Sequence, residues 1–466
     1  MGWFIWRGRG AAASKVADST KAAEGRRIPG RYRVGASYLR SIVRIFCLFV
    51  PGCGAKHRAG MNTPEPSVIG SPRRRRQLLG VSLAGILLTI VPAAAAQPAV
   101  PWTNGPWADS NFFPIAVWLQ EPALAERYRR AGINTYVGLW KGPTEDQLTA
   151  LKKAGMWAVC GLNETGRRHR DDPTIIAWMN GDEPDNAQSR GARLGFGSPI
   201  SPETIVADYQ RMKAEDASRP IFLNLGQGVA WDGWRGRGKR NHHPEDYPEY
   251  LKGCDIASFD IYPANHDSRE VQGKLWFVAN GVERLVQWGQ GKKTVWNCIE
   301  CTAITHPDHK PTPQQVRAEV WMSLIHGSRG LIYFVHQFQP GSDIAALLRD
   351  PEMLAAVTQI NRQITGLAPV LNSPTAHDAV AVQSNNPAVP VATMVKQLDG
   401  TTYLFAAAVR DGATDATFTF TRAMGGNVVE TLGENRTLAI TNNSFSDHFD
   451  TWAVHLYKLS PPAAPR

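Results

Sequence analysis

Two glutamates stand where a pair of carboxyls could act on one substrate. Glu183 falls in Trp178-Met179-Asn180-Gly181-Asp182-Glu183-Pro184-Asp185, and Glu300 in Trp296-Asn297-Cys298-Ile299-Glu300-Cys301. Each closes a short apolar run with the composition of a β-strand, and strand parity puts Trp296, Cys298 and Glu300 on one face. Glycosidic cleavage needs one carboxyl that holds a proton for the leaving oxygen, and a second, ionised, that stabilises or attacks the oxocarbenium-like carbon. A single Glu at a strand end is more often an ion-pair partner or a helix cap. Two at the ends of separate strands earn attention only if the fold brings those ends together.

The elements that would do so are legible from Gln97 onward, where β-rich runs alternate with longer amphipathic stretches, the pattern of βαβ units around a parallel sheet. Eight strands are predicted: Phe113–Leu119, Thr135–Trp140, Trp157–Leu162, Ile175–Asn180, Ile221–Leu225, Ile256–Tyr262, Thr294–Ile299 and Gly330–His336. Helices are predicted from Pro122 to Ala131 before Gly132, after the cap Thr144, from Ser201-Pro202 to Glu215, from Lys274 to Gln290, and from Thr312-Pro313 to His326. Eight such units close into an α/β fold, a (β/α)8 TIM barrel, whose reactive groups sit at the carboxyl ends of the strands. Strands four and seven face each other across that mouth, compatible with a carboxyl separation of about 5–5.5 Å and hence with retention of configuration. From about Asp378 short alternating strands take over (Ala379–Gln383, Val391–Lys396, Thr402–Val409, Ala416–Thr421, Trp452–Lys458), which reads as a small all-β sandwich. Its Phe449, Trp452 and Tyr457 are expected to pack against the barrel.

With the glutamates on strands four and seven, the stretch from Phe112 to Phe338 resembles the clan A glycoside hydrolases in organisation. These are barrels whose acid/base Glu follows strand four and whose nucleophile Glu follows strand seven. The resemblance implies Glu183 as general acid/base and Glu300 as nucleophile. Many members carry Asn directly before the acid/base, where it contacts the sugar 2-hydroxyl; this chain has Asp182. That carboxyl could bind a hydroxyl, raise the proton affinity of Glu183, brace the loop, or serve as the acid itself. The resemblance also implies that Tyr262 holds the nucleophile carboxylate.

Further substrate contacts are expected from Asp260 on the same face as Tyr262, from Asn224 near the end of strand five, and from His336, which is equally readable as a core histidine. Sugar rings present flat C–H faces, so aromatic platforms are sought at strand ends, and Trp118, Trp140, Trp231, Trp234 and Trp296 qualify. The long connection from Gln227 to Tyr250 carries Arg235, Arg237, Lys239 and Arg240, either a solvated loop or a contact for an acidic polysaccharide. His242 and His243 are adjacent rather than spaced for one metal, and no cofactor or metal is expected.

Composition narrows the alternatives. With 43% hydrophobic and 20% charged residues the 466-residue chain can bury a large core, so a disordered protein is excluded. The formal charge of +10 is misleading, because 16 of the 51 Lys and Arg but only 3 of the 41 Asp and Glu precede Gln97. The 35 basic and 38 acidic residues that remain leave a slightly acidic body with no footprint for nucleic acid. The upstream excess includes Arg73 to Arg76, followed by an apolar run to Val91 and then Ala93 to Ala96, the order of an export signal. That run is about 14 residues, too short for a span of roughly 20, so cleavage is expected rather than a stable membrane anchor. The arginines before Gln77-Leu78-Leu79 resemble a twin-arginine signal with Leu78 for the usual Phe; a Sec signal is the alternative.

The expected organisation is therefore an upstream stretch of no structural role over residues 1–60, a signal over 61–96, a barrel over 97–375 and a sandwich over 376–466. An exported chain permits disulfides among Cys160, Cys254, Cys298 and Cys301, and the CxxC pair Cys298/Cys301 is read as a local disulfide or two buried thiols. A carbohydrate substrate fits this reading, against a non-catalytic carbohydrate-binding barrel and a metal-dependent deacetylase. Amino-terminal sequencing of natively expressed protein should find nothing from residues 1–60 and a mature start after Ala96; peptides from the first 60 residues would refute the organisation.

Overall fold

The computed structural model describes residues 102–191, 193–422 and 426–460. The expected upstream stretch and export signal, over residues 1–96, lie outside the described residues. Eight parallel strands appear in the expected order: β1 (Ile115–Trp118), β2 (Thr135–Val137), β3 (Trp157–Cys160), β4 (Ile175–Asp182), β5 (Ile221–Leu225), β6 (Ile256–Phe259), β7 and β8 (Leu331–Phe334). β7 is interrupted at Trp296; its first segment, Thr294–Val295, pairs with β6, and its second, Asn297–Glu300, pairs with β8. β8 pairs in turn with β1, Ile115 opposite Leu331, so the sheet closes on itself.

The helices are α1 (Ala125–Arg130), α2 (Glu145–Lys153), α3 (Glu164–Arg168), α4 (Pro202–Glu215), α5 (Tyr247–Tyr250), α6 (Trp276–Trp288), α7 (Pro313–Ile325), α8 (Pro351–Gly366) and α9 (Ala368–Asn372). Their starts follow the capping chemistry of the sequence. Thr144 and Thr312 each accept the N–H three residues on and receive a Gln side chain in return, forming capping boxes, while Ser201 caps α4 ahead of Pro202. The stretch expected as one helix from Pro122 begins as a 3-10 turn, Pro122–Leu124, and stops at Gly132, whose φ of 78° suits a residue without Cβ.

Alternation along the strands splits the core in two. Ala116, Val159, Phe222, Ile256, Trp296, Cys298, Ile332 and Phe334 fill the barrel interior. Ile115, Val117, Ala158, Leu223, Ala257, Ile299 and Tyr333 face the helical layer.

Eight further strands form two antiparallel sheets: β9 (Val380–Ser384), β10 (Val391–Leu398), β11 (Thr401–Ala408), β12 (Thr414–Phe420), β13 (Val428–Thr431), β14 (Arg436–Ala439), β15 (Ser444–Phe449) and β16 (Val454–Leu459). The smaller sheet runs β9-β12-β15 and the larger β10-β11-β16-β13-β14. Three of these strands, β13 to β15, were not expected; they are short, and Thr, Arg, Ser and His interrupt their apolar pattern. Trp452 joins the core beside the barrel, as expected, and α7 meets β11 where Trp321 and Phe405 lie 5.1 Å apart. Phe449 and Tyr457 instead belong to the sandwich's own core, a correction that parity explains: on β16, Val454 and Leu456 face the barrel and Tyr457 and Leu459 the opposite sheet.

Trp296 is 0% exposed and packs on Phe222 and Trp107 in the barrel interior. Replacing it by Ala should cost about 3–5 kcal/mol of unfolding free energy by urea titration; a loss below about 1 kcal/mol would mean the interior is not packed around it.

Candidate active site

The geometry of the site begins with an irregularity in β4. Met179 pairs with Phe222, Gly181 with Leu223 and Asp182 with Asn224, so Asn180 has no partner on β5. Its side-chain amide turns outward and donates to the carbonyls of Ile205 and Gly253, both at 2.9 Å. A bulge of this kind bends the strand and re-aims the side chains beyond it. It prolongs β4 to Asp182, two residues beyond the expected end, and sets that carboxyl opposite Asn224, whose Nδ2 donates to Asp182 Oδ1 at 2.9 Å. Glu183 continues the ladder, its N–H donating to the Asn224 carbonyl at 2.8 Å, in a left-handed conformation with φ 44°. Such a conformation in a residue with a Cβ is strained and persists only where its surroundings hold it.

The surroundings are the long loop after β5. Asp185, fully buried, accepts from the Gly226 N–H at 2.8 Å and the Tyr247 hydroxyl at 3.0 Å, and faces the Arg237 guanidinium at 3.9 Å. Arg237 also donates to Asp246 at 2.6 Å, and Arg240 to the same carboxylate, while Trp234 Nε1 donates to Asn186 at 2.8 Å. Arg237 and Arg240 are thus bound to acids of this chain, while Arg235 and Lys239 are exposed. This brace was missed in the sequence; its one signal was a third acid, Asp185, two residues past Glu183 across Pro184.

The carboxyl that meets Glu183 is Asp260. It leaves β6, is 7% exposed, and hydrogen-bonds to the Glu183 side chain. Two carboxyls in contact need a proton between them, and burial first, then the charges of Glu183 and Asp182, push Asp260 well above the usual carboxylate range. Burial and then Glu183 likewise push Asp182 up to about 8, against the pull of Asn224. Asp260 Oδ1 and Asn224 Oδ1 are buried without a hydrogen-bond partner. Tyr262 lies at the same mouth, bonded to the Cys298 thiol, its ring 4.9 Å from Phe334.

Glu300 is placed differently. It is 0% exposed; Oε1 accepts from the Ala264 N–H at 2.6 Å and Oε2 from the Asn265 N–H at 2.9 Å, and its third neighbour is the Glu319 carboxyl on α7. Glu300 therefore turns to the seam between the loop after β6 and the helical layer. Tyr262, expected beside Glu300, contacts Cys298 and Asp260 instead, because Cys298 is the residue of β7 that faces inward at that level.

Among the aromatics, Trp296 is no subsite wall, being wholly inside the barrel, and Trp118 is 6% exposed within the same core. Trp140, Trp231 and Trp234 are half-buried. Trp231 and Trp234 lie 6.3 Å apart, Trp231 donating to Glu270 at 3.0 Å, beside a 360 Å³ cleft. A second cleft, of 390 Å³, opens beyond the ends of β7 and β8 among Thr302, Lys310, Gln337 and Arg349. His336 is 1% exposed and bonded to the backbone of Trp118 and Leu119; burial pushes its pKa down to about 4, so it is a neutral imidazole, with Nε2 unpartnered. The four cysteines 160, 254, 298 and 301 are buried free thiols. No group of three or more His, Cys, Asp and Glu among the described residues is arranged to hold a metal ion.

No protein-family model and no curated protein matches the chain. Among solved structures it is similar to AmyP in complex with maltose (8% identity, TM-score 0.46, covering 77% of this chain and 98% of that one). It is similar also to a GH30 endoxylanase from Clostridium papyrosolvens C71 (10%, 0.42, 79% and 98%) and to the alpha-amylase of Geobacillus thermoleovorans complexed with acarbose (9%, 0.45, 76% and 99%). The likeness is one of broad architecture; the barrel rests on its own strand pairing.

The Asp182 carboxyl has a pH signature. Its folded pKa, about 8, exceeds the ordinary 3.8, so the folded state binds the extra proton. The associated stability is full below about pH 4 and is lost as pH rises toward about 8. Asp182→Asn keeps an acceptor for Asn224 and removes the titration. Denaturant unfolding should show parent and variant alike near the low end of that range and the variant more stable near the high end; parallel curves across the range would contradict the assignment.

Proposed function

We propose that this chain hydrolyses O-glycosidic bonds of a poly- or oligosaccharide at the barrel mouth. The observation that supports this most is the meeting of three carboxyls, Asp182 at the end of β4, Glu183 just beyond it and Asp260 just after β6, where burial and mutual charge raise the proton affinity of Asp182 and Asp260. Such a cluster combines the two requirements of glycoside cleavage, a proton to give and a bare carboxylate beside it.

The Glu183–Asp260 pair supplies the leaving oxygen with the proton held between its two carboxyls. The member that remains ionised faces the oxocarbenium-like carbon. Asp260 takes the place in this scheme that the sequence assigned to Glu300. Carboxyls in direct hydrogen bond lie closer than the roughly 5–5.5 Å of a double displacement, so a sugar ring entering between them parts them toward that spacing, and retention is the expected stereochemistry. Trp231 and Trp234 supply an aromatic wall, and the clefts beside Trp231 and beyond β7 and β8 offer room for neighbouring sugar units. The chain acts after export, on the reading of residues 61–96.

A glycan panel should yield a substrate that the parent cleaves. Glu183→Gln and Asp260→Asn should each slow its hydrolysis by roughly 10²–10⁴-fold with the fold intact by circular dichroism. Near-parental rates in both variants would sink the assignment; binding of the panel without any product would favour a non-catalytic carbohydrate-binding barrel.

A further inference from the structure

The proposed chemistry leaves Glu300 unused, although it is a fully buried acid at the end of a barrel strand. What it does hold is backbone: the N–H groups of Ala264 and Asn265, at 2.6 and 2.9 Å. Those two residues lie in the connection from β6 to α6, two and three positions beyond Tyr262. Asn265, 3% exposed, carries the link further: its Oδ1 accepts from Thr305 N–H at 2.8 Å, and its Nδ2 donates to the carbonyls of His306 at 2.9 Å and His309 at 3.1 Å. One carboxylate thus fixes the loop after β6, and through Asn265 the loop after β7.

Glu300 needs a third partner to stay where it is. Glu319, on the inner face of α7 and 0% exposed, is paired with it, and neither oxygen of Glu319 meets any other hydrogen-bond donor. Two adjacent bare carboxylates in a dry site would repel, so one must carry a proton. Burial, and then the charge of Glu300, push Glu319 well above the carboxylate range. Burial raises Glu300 only to about 7, because the two amides and the Glu319 hydroxyl all stabilise its charge. Glu319 is therefore the donor and Glu300 the acceptor of three hydrogen bonds.

We infer that Glu319 is a positioning residue: its proton donates to Glu300 and so locks the Ala264 and Asn265 amides, fixing the loop that sets Asp260 and Tyr262 at the barrel mouth. Glu300 is an anchor for that loop rather than the nucleophile. The kinetic consequence rests on the proposed glycosidase reading; the structural consequence does not.

The test uses the full chain with Glu319→Gln, whose amide still donates, and Glu319→Met, of similar length with no donor. Hydrogen exchange at the Ala264 and Asn265 amides is the first readout. Glu319→Gln should keep parental protection. Glu319→Met, folded by circular dichroism and with β1 to β3 still protected, should lose about tenfold or more at those two amides. On a cleaved glycan its kcat should fall by about tenfold or more with KM within about threefold, as displacement of a reacting group predicts. Should Glu319→Met not fold, Glu319→Asp, which withdraws the acid by one methylene, should give the same loss. Parental protection in the folded donor-less or shortened variant would overturn the inference, as would formation of a glycosyl azide of inverted anomeric configuration by Glu300→Gly in azide, which identifies a nucleophile. If the parent cleaves no glycan, the exchange readout decides alone, so the positioning role and the proposed activity can fail separately.

Discussion

Charge cannot be buried bare, and the upper part of this barrel is organised around that constraint. Five carboxyls, Asp182, Glu183, Asp185, Asp260 and Glu300, lie at the ends of neighbouring strands or in the turns that leave them, and all but the half-buried Asp182 are less than a tenth exposed. Four of them show three ways of reconciling an acid with burial. Asp185 meets a guanidinium, a phenol and a backbone amide; Glu300 takes two backbone amides and a protonated neighbour; Asp182 and Asp260 keep their protons. Only the last solution leaves a group that can give a proton away, which is why the chemistry is sought around Asp260 and Glu183 and not around Glu300.

The same constraint explains the loops. The connection of 21 residues between β5 and α5 would be a poor holder for a strained Glu183 if it were only tethered at its ends. Arg237, in its middle, pairs with the buried Asp185 of the turn after β4 and with the half-buried Asp246 at its far end, and a half-made network of this kind would be worse than none. The loop is therefore tied to the turn after β4, and the φ of 44° at Glu183 is maintained by contacts on both sides of it. On the opposite flank Glu300 and Asn265 do the same for the loops after β6 and β7, with backbone groups in place of guanidinium. Rigid strands deliver the acids and two buried polar networks aim them.

Much of the architecture was readable in advance because it depends on local rules. All eight barrel strands appear where β-rich runs alternate with capped helices, and Thr144, Ser201 and Thr312 mark helix starts as their side-chain chemistry dictates. The sandwich was readable in class but not in detail, since strands such as Arg436–Ala439 only half-bury alternate residues and carry too little apolar signal. The candidate site was half legible. The β4 motif drew attention to Asp182 and Glu183, and parity drew it to Asp260 and Tyr262, but parity alone also nominated Trp296 and Glu300.

What the sequence determined by itself was the alternation of elements, their caps, and the set of acids that end up near strand ends. Those features arise from periodicities of two and 3.6 residues and from the hydrogen-bonding needs of helix termini, which act over a few residues. Which acid meets which was decided only by the closed barrel. A bulge at Asn180 re-aims one strand, the break at Trp296 interrupts another, and Glu319 arrives from a helix nineteen positions beyond Glu300 to claim its carboxylate. Proton affinity depends on every charge and dipole within a few ångströms, and those neighbours are gathered from across the chain, so the division between proton donor and structural anchor is a property of the tertiary structure.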